Sequence, residues 1–188
     1  MTHPISLSNA ADSVLIVVDI QPTLTAAMPE NDAEQMLANT IVLLQAAAAL
    51  EIPVLLTEQY PKGLGETEAS IMESAPASTT KYQKTGFSCC AAEGFRGTLE
   101  KIGRKQLILV GQEAHVCILQ TAFELKTQGY SVFVAEDSVC SRKQEHRYFA
   151  LQRMAIAGIT ITNYESVLFE WMRASTHPKF KELAKLIR

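Results

Sequence analysis

Short apolar runs rich in β-branched residues recur along the chain at 14–18, 52–56, 106–110, 131–135 and 159–162, each apolar enough to be covered on both faces. Strands of that kind belong in a parallel sheet buried between two layers of helix. Helical patterns lie between the runs. The clearest covers 32–50, where Asn31 and Glu34 have capping-box spacing and Met36, Leu37, Ile41, Leu44 and Ala48 share one face. A second covers 116–128 and stops at Gly129; a third starts after Ser141, with Gln144 three residues on, and ends near Gly158. The segments 164–174 and 178–187 read as two closing helices. The alternation predicts an α/β fold, a three-layer α/β/α doubly wound sheet that is mainly parallel with about six strands. The stretch 57–80, rich in Pro, Gly, Ser and Glu, reads as a surface excursion that walls a pocket.

The chain has 188 residues, 47% hydrophobic and 20% charged, which fits a single domain over 1–188. Seventeen Lys and Arg against twenty Asp and Glu give a net charge of -3 with no basic run, which argues against nucleic acid as a partner. No apolar stretch approaches the roughly 20 residues that cross a bilayer, and the first residues have no signal-peptide pattern, so the expected setting is cytoplasmic. Four cysteines, at 89, 90, 117 and 140, form no CxxC pair and are too few for a disulfide scaffold. The question is whether one of them is reactive.

In a doubly wound sheet, ligands bind outside the carboxyl ends of the strands. The residues there are Asp19 after the first run, Thr57, Glu58 and Gln59 after the second, and Gly111 through Cys117 after the third. Asp19 is either a turn cap or, partly desolvated, a proton acceptor. Cys117 is either a small core residue or a nucleophile at a helix start, where the helix dipole favours a thiolate. Lys84 is the candidate cation, with Lys81 competing for the role. Cys89, Cys90 and Cys140 read as packing residues, and His115 has no sequence-local metal partner.

Taken together, Asp19, Lys84 and Cys117 resemble the pattern of the isochorismatase-like cysteine hydrolases. Leu15 through Gln21 is similar to that family's opening strand and DxQ, Lys84-Thr85-Gly86-Phe87-Ser88 to its KxxFS segment, and Gly111 through Ile118 to its nucleophile segment. Thr57 through Gly65 resembles the branch of small isochorismatase domain-containing proteins. The resemblance implies an Asp19-Lys84-Cys117 triad and a thioester on Cys117. It also implies a cis peptide at Gln112-Glu113 that aims the backbone N–H groups of Glu113 and Cys117 into an oxyanion hole. Gln21, Gln59, Tyr60, Phe87 and His115 are candidate pocket residues, each equally readable as a turn or packing residue. Relatives of this kind form oligomers, so a homo-oligomer is expected.

Departures from the family narrow the chemistry. The nicotinamidase branch carries Asp-x-His-x-His after the second strand, whereas this chain has Thr57-Glu58-Gln59-Tyr60, so no metal and no other cofactor is expected. A cysteine at 117 points to acyl or carbamoyl chemistry rather than to isochorismate, and no fused carrier domain is expected. The leading expectation is hydrolysis of a C–N bond in a small amide or carbamoyl compound. A non-catalytic binding or scaffolding protein is the alternative, and a redox-sensing thiol protein the third.

Overall fold

The computed structural model describes residues 7–187. Six strands form one sheet: β1 (Ser13–Val18), β2 (Val54–Gln59), β3 (Thr80–Lys84), β4 (Gln106–Gln112), β5 (Ser131–Cys140) and β6 (Thr160–Thr162). Their order is β3-β2-β1-β4-β5-β6 and every pairing is parallel. The chain builds outward from β1 in one direction and from β4 in the other, so these central neighbours mark the topological switch point.

Alternation along β1 explains its all-apolar sequence. Val14, Ile16 and Val18 enter one core and Leu15 and Val17 the other, and all are fully buried. Each such side chain contributes about 1.5–3 kcal/mol by leaving water. The helices are α1 (Pro22–Thr25), α2 (Glu30–Ala49), α3 (Pro61–Leu64), α4 (Ala69–Ser74), α5 (Phe95–Ile102), α6 (Leu119–Thr127), α7 (Gln144–Ile156), α8 (Tyr164–Met172) and α9 (Phe180–Leu183). On the first face lie α5, α6 and α7, with Phe95, Ala122, Leu125 and Met154 in the core. On the second lie α2, α4, α8 and α9, with Met36, Leu44, Ile71, Trp171 and Leu183.

Several expectations are corrected. The stretch 57–80 is more than an excursion: it holds the end of β2, then α3 and α4, and delivers the chain to β3. Neither capping box forms. Helix α2 begins at Glu30 with Pro29 as its N-cap residue, upstream of Asn31. Helix α7 has Lys143 at its N-cap, and the Ser141 hydroxyl meets the His115 ring instead, at 3.0 Å. Strand β5 runs to Cys140, well past Ala135.

Candidate active site

Register fixes the height at which the site is assembled. Val18 pairs with Thr57 on one side and Gly111 on the other, and Gln59 pairs with Lys84, so Asp19, Lys84 and the turn after β4 emerge at the same end of the sheet. Gly111 has φ +113, and a Cβ there would stand 2.1 Å from the Val18 carbonyl oxygen, so only glycine lets β4 pass β1 this closely. The next peptide, Gln112-Glu113, is cis. It leads into a single π-helical turn, Ala114–Ile118, that carries Cys117 and runs into α6.

Asp19 has φ +52, a left-handed conformation that aspartate tolerates better than most residues. Its carboxylate is wholly buried. One oxygen accepts from the Thr57 hydroxyl at 2.7 Å, the other from the Lys84 ammonium at 2.6 Å. Lys84 Nζ also donates to Gln59 Oε1 at 2.7 Å and to the Phe87 carbonyl at 2.9 Å, which accounts for its three N–H donors. Burial works against the Lys84 charge, but the attraction of Asp19 outweighs it and holds the ammonium above its usual range. Lys81 instead pairs with Glu58 at 3.2 Å.

Cys117 is 5% exposed, and its thiol lies within the electrostatic reach of the Asp19 carboxylate and the Lys84 ammonium. Burial first, and the Asp19 charge second, push the thiol well up from its ordinary value. Both influences favour the thiol over the thiolate that the expected helix start suggested. Cys89, buried in the same core, lies 3.6 Å from the Thr57 hydroxyl, and burial pushes it up to about 12. Cys140 packs on Met36, and Cys90 lies under the Gln128 amide.

Above Cys117 opens a pocket of about 540 Å³. Gln59, Tyr60 and Phe87 line it, as do Leu24, Leu64, Thr85, Glu113, Val116 and Arg142. Tyr60, held at φ +37, lays its ring over Gly63, where a Cβ would come within 2.5 Å of it. Gln21 stands behind the wall: its amide donates to the Gln59 and Gly65 carbonyls and accepts from the Gln59 N–H, bracing the loop that carries Tyr60. Gln112 ties β4 to the Asp19 carbonyl and the Thr25 hydroxyl. His115 turns away, toward Ser141 and the ring of His146 at 4.6 Å. Arg142 is the residue sequence reasoning missed. It lies two residues past the end of β5, and a correctly placed strand end points to it.

Among the described residues, no cluster of three or more His, Cys, Asp or Glu is arranged to hold a metal ion, and no helix is long and apolar enough to cross a membrane.

A family model described as Isochorismatase domain matches residues 13–166. Isochorismatase domain-containing protein 1 of Salmo salar is 42% identical over 146 residues, 78% of this chain and 51% of that protein, so the chain spans about half that relative's length. The MAR1 ribonuclease structure from Caenorhabditis elegans superposes with a TM-score of 0.91 at 38% identity, covering 97% of this chain and 92% of that one. The YcaC gene product of Escherichia coli, described as an octameric hydrolase of unknown specificity, shares the fold with a TM-score of 0.91 at 24% identity, over 99% of this chain and 91% of that one.

Proposed function

The chain belongs to the isochorismatase family and has its hydrolase fold, and from that premise we propose that it is a cysteine-dependent hydrolase cleaving a C–N bond in small amide or carbamoyl compounds. The observation that carries this reading is the buried Lys84–Asp19 ion pair set beside Cys117, the thiol that lines the pocket.

In the proposed cycle, Asp19 takes the Cys117 proton as Sγ attacks the substrate carbonyl carbon, because the thiol is too weak an acid to ionise unaided. Lys84 holds the Asp19 carboxylate in place and balances its charge. The backbone N–H groups of Glu113 and Cys117 receive the oxyanion. Collapse breaks the C–N bond, the amine leaves with the proton from Asp19, and a thioester remains on Cys117. Water, deprotonated by Asp19, then attacks the thioester carbon, the C–S bond breaks to release the acid, and Asp19 returns the proton to Sγ.

The ribonuclease designation of the worm protein is not extended to this chain. Its net charge is -3, and the cation on the pocket wall, Arg142, is already paired with Glu113. Self-association belongs to the reading, since the E. coli neighbour is octameric and α7 exposes Tyr148, Phe149 and Ile156.

The test combines a panel of small amides with cysteine mapping. Cys117→Ala is expected to abolish turnover with the circular dichroism spectrum unchanged. In the native protein, iodoacetamide is expected to label Cys117 at least about tenfold faster than Cys89, Cys90 or Cys140, which do not line the pocket. Turnover retained in Cys117→Ala, or uniform labelling, would overturn the reading.

A further inference from the structure

The charges around the pocket come in matched pairs. At its base, the Asp19 carboxylate meets the Lys84 ammonium at 2.6 Å. On its wall, the Arg142 guanidinium clasps Glu113, with Nη2 to Oε1 at 2.7 Å and Nε to Oε2 at 3.1 Å, while the Arg142 backbone N–H reaches Oε2 at 3.0 Å. The Glu113 side chain is 6% exposed and that of Arg142 55% exposed, so the carboxylate lies inward and the guanidinium at the rim. Burial opposes the Glu113 charge, but the hydrogen bonds from Arg142 outweigh it and hold the carboxyl below its usual range. The site thus holds two carboxylates and two cations, which sum to zero. Leu24, Leu64, Phe87 and Val116 supply apolar wall between the pairs.

A carboxylate on a substrate needs a cation when it leaves water, and an unpaired buried charge is strongly disfavoured. Arg142 is the wall's cation. It cannot turn both inner N–H groups to a ligand without stranding Glu113, which is buried and accepts from it on both oxygens. An uncharged amide makes no such demand.

We propose that this pocket selects uncharged substrates, with the Glu113–Arg142 pair as the specificity determinant: Glu113 quenches a guanidinium that would otherwise draw in carboxylate-bearing compounds. The proposal rests on Cys117 being the reacting thiol, and it narrows the substrate class to small neutral amides with an apolar body.

Iodoacetamide and iodoacetate differ in little but charge and report on the same thiol. In each case a C–I bond breaks, a C–S bond forms on Cys117, iodide leaves and the thiol proton is released. The ratio of their alkylation rates at Cys117, read by peptide mass spectrometry and divided by the same ratio for glutathione, is expected to exceed about 10. Glu113→Gln frees the guanidinium and is expected to bring the normalised ratio to 1 or below, through faster reaction with iodoacetate. Arg142→Gln leaves Glu113 unbalanced and is expected to raise the ratio further, read on protein whose circular dichroism spectrum shows it folded. A ratio near 1 in the native protein, or one that neither substitution moves, overturns the proposal while leaving Cys117 as the nucleophile. A Cys117 inert to both reagents removes the premise and the proposal together.

Discussion

The Lys84 ammonium commits all three of its donors inside the protein, to Asp19, Gln59 and the Phe87 carbonyl. Its removal therefore does more than delete a contact, because it leaves the Asp19 carboxylate buried with the Thr57 hydroxyl as its remaining strong partner. Lys84→Met is expected to lower stability by about 3–5 kcal/mol, the usual cost of breaking a buried pair from one side. Adding Asp19→Asn to Lys84→Met should recover more than half of that loss, because the stranded charge is gone. Urea titration of the two variants checks this; equal losses would show that packing, not charge, dominates. Asp19 and Cys117 were legible in the sequence because each follows an apolar strand closely. Patterning alone offers Lys84 but does not separate it from Lys81, since their strand reads Thr80-Lys81-Tyr82-Gln83-Lys84 and is largely exposed at the sheet edge. The choice needed the family resemblance.

Among the elements, β1 and β4 pass each other closely enough to require a glycine. Gly111→Ala would put a Cβ 2.1 Å from the Val18 carbonyl oxygen at φ +113, and backbone atoms have no rotamer by which to yield. The expected cost is at least about 3 kcal/mol, with the turn that carries Cys117 displaced. Gly65→Ala is the control, since its Cβ would meet nothing within 4 Å and only the φ penalty at +84 applies. Thermal melts of both variants, together with the Cys117 labelling rate, separate loss of stability from displacement of the turn. The central strands could be read from sequence because both of their faces are covered. The apolar pattern of β5 stops short of the strand's end because Glu136 and Asp137 break it. They lie beyond Ala135, the last residue of β5 that pairs with short β6, and are only half-buried there. That misplaced end concealed Arg142. The capping box at Ser141 does not form because a tertiary partner, His115, takes its side chain, and the one at Asn31 does not form because α2 already starts at Glu30 behind Pro29.

Across the whole molecule, the buried thiols set an alkaline limit. Burial pushes Cys89 and Cys140 up to about 12, and Cys117 is raised as well. Each keeps its proton in the folded state after the unfolded chain has lost its own near pH 9. The stability this confers is complete below that pH and is lost as pH rises toward the folded values, by about 1.4 kcal/mol per pH unit for each thiol. Lys84, also raised, acts in the same direction. Urea midpoints under reductant should therefore fall steadily from pH 9 to 10.5, and Cys140→Ala should make the decline shallower. The strand order has a consequence for synthesis. The half-sheet β3-β2-β1 is complete in sequence by Lys84, but the free edge of β1 has no partner until β4 is made, from Gln106 onward. On the ribosome, Val14 through Val18 would form a sticky border for at least the intervening residues, which is where a chaperone would find this chain and where a stalled or truncated product would aggregate.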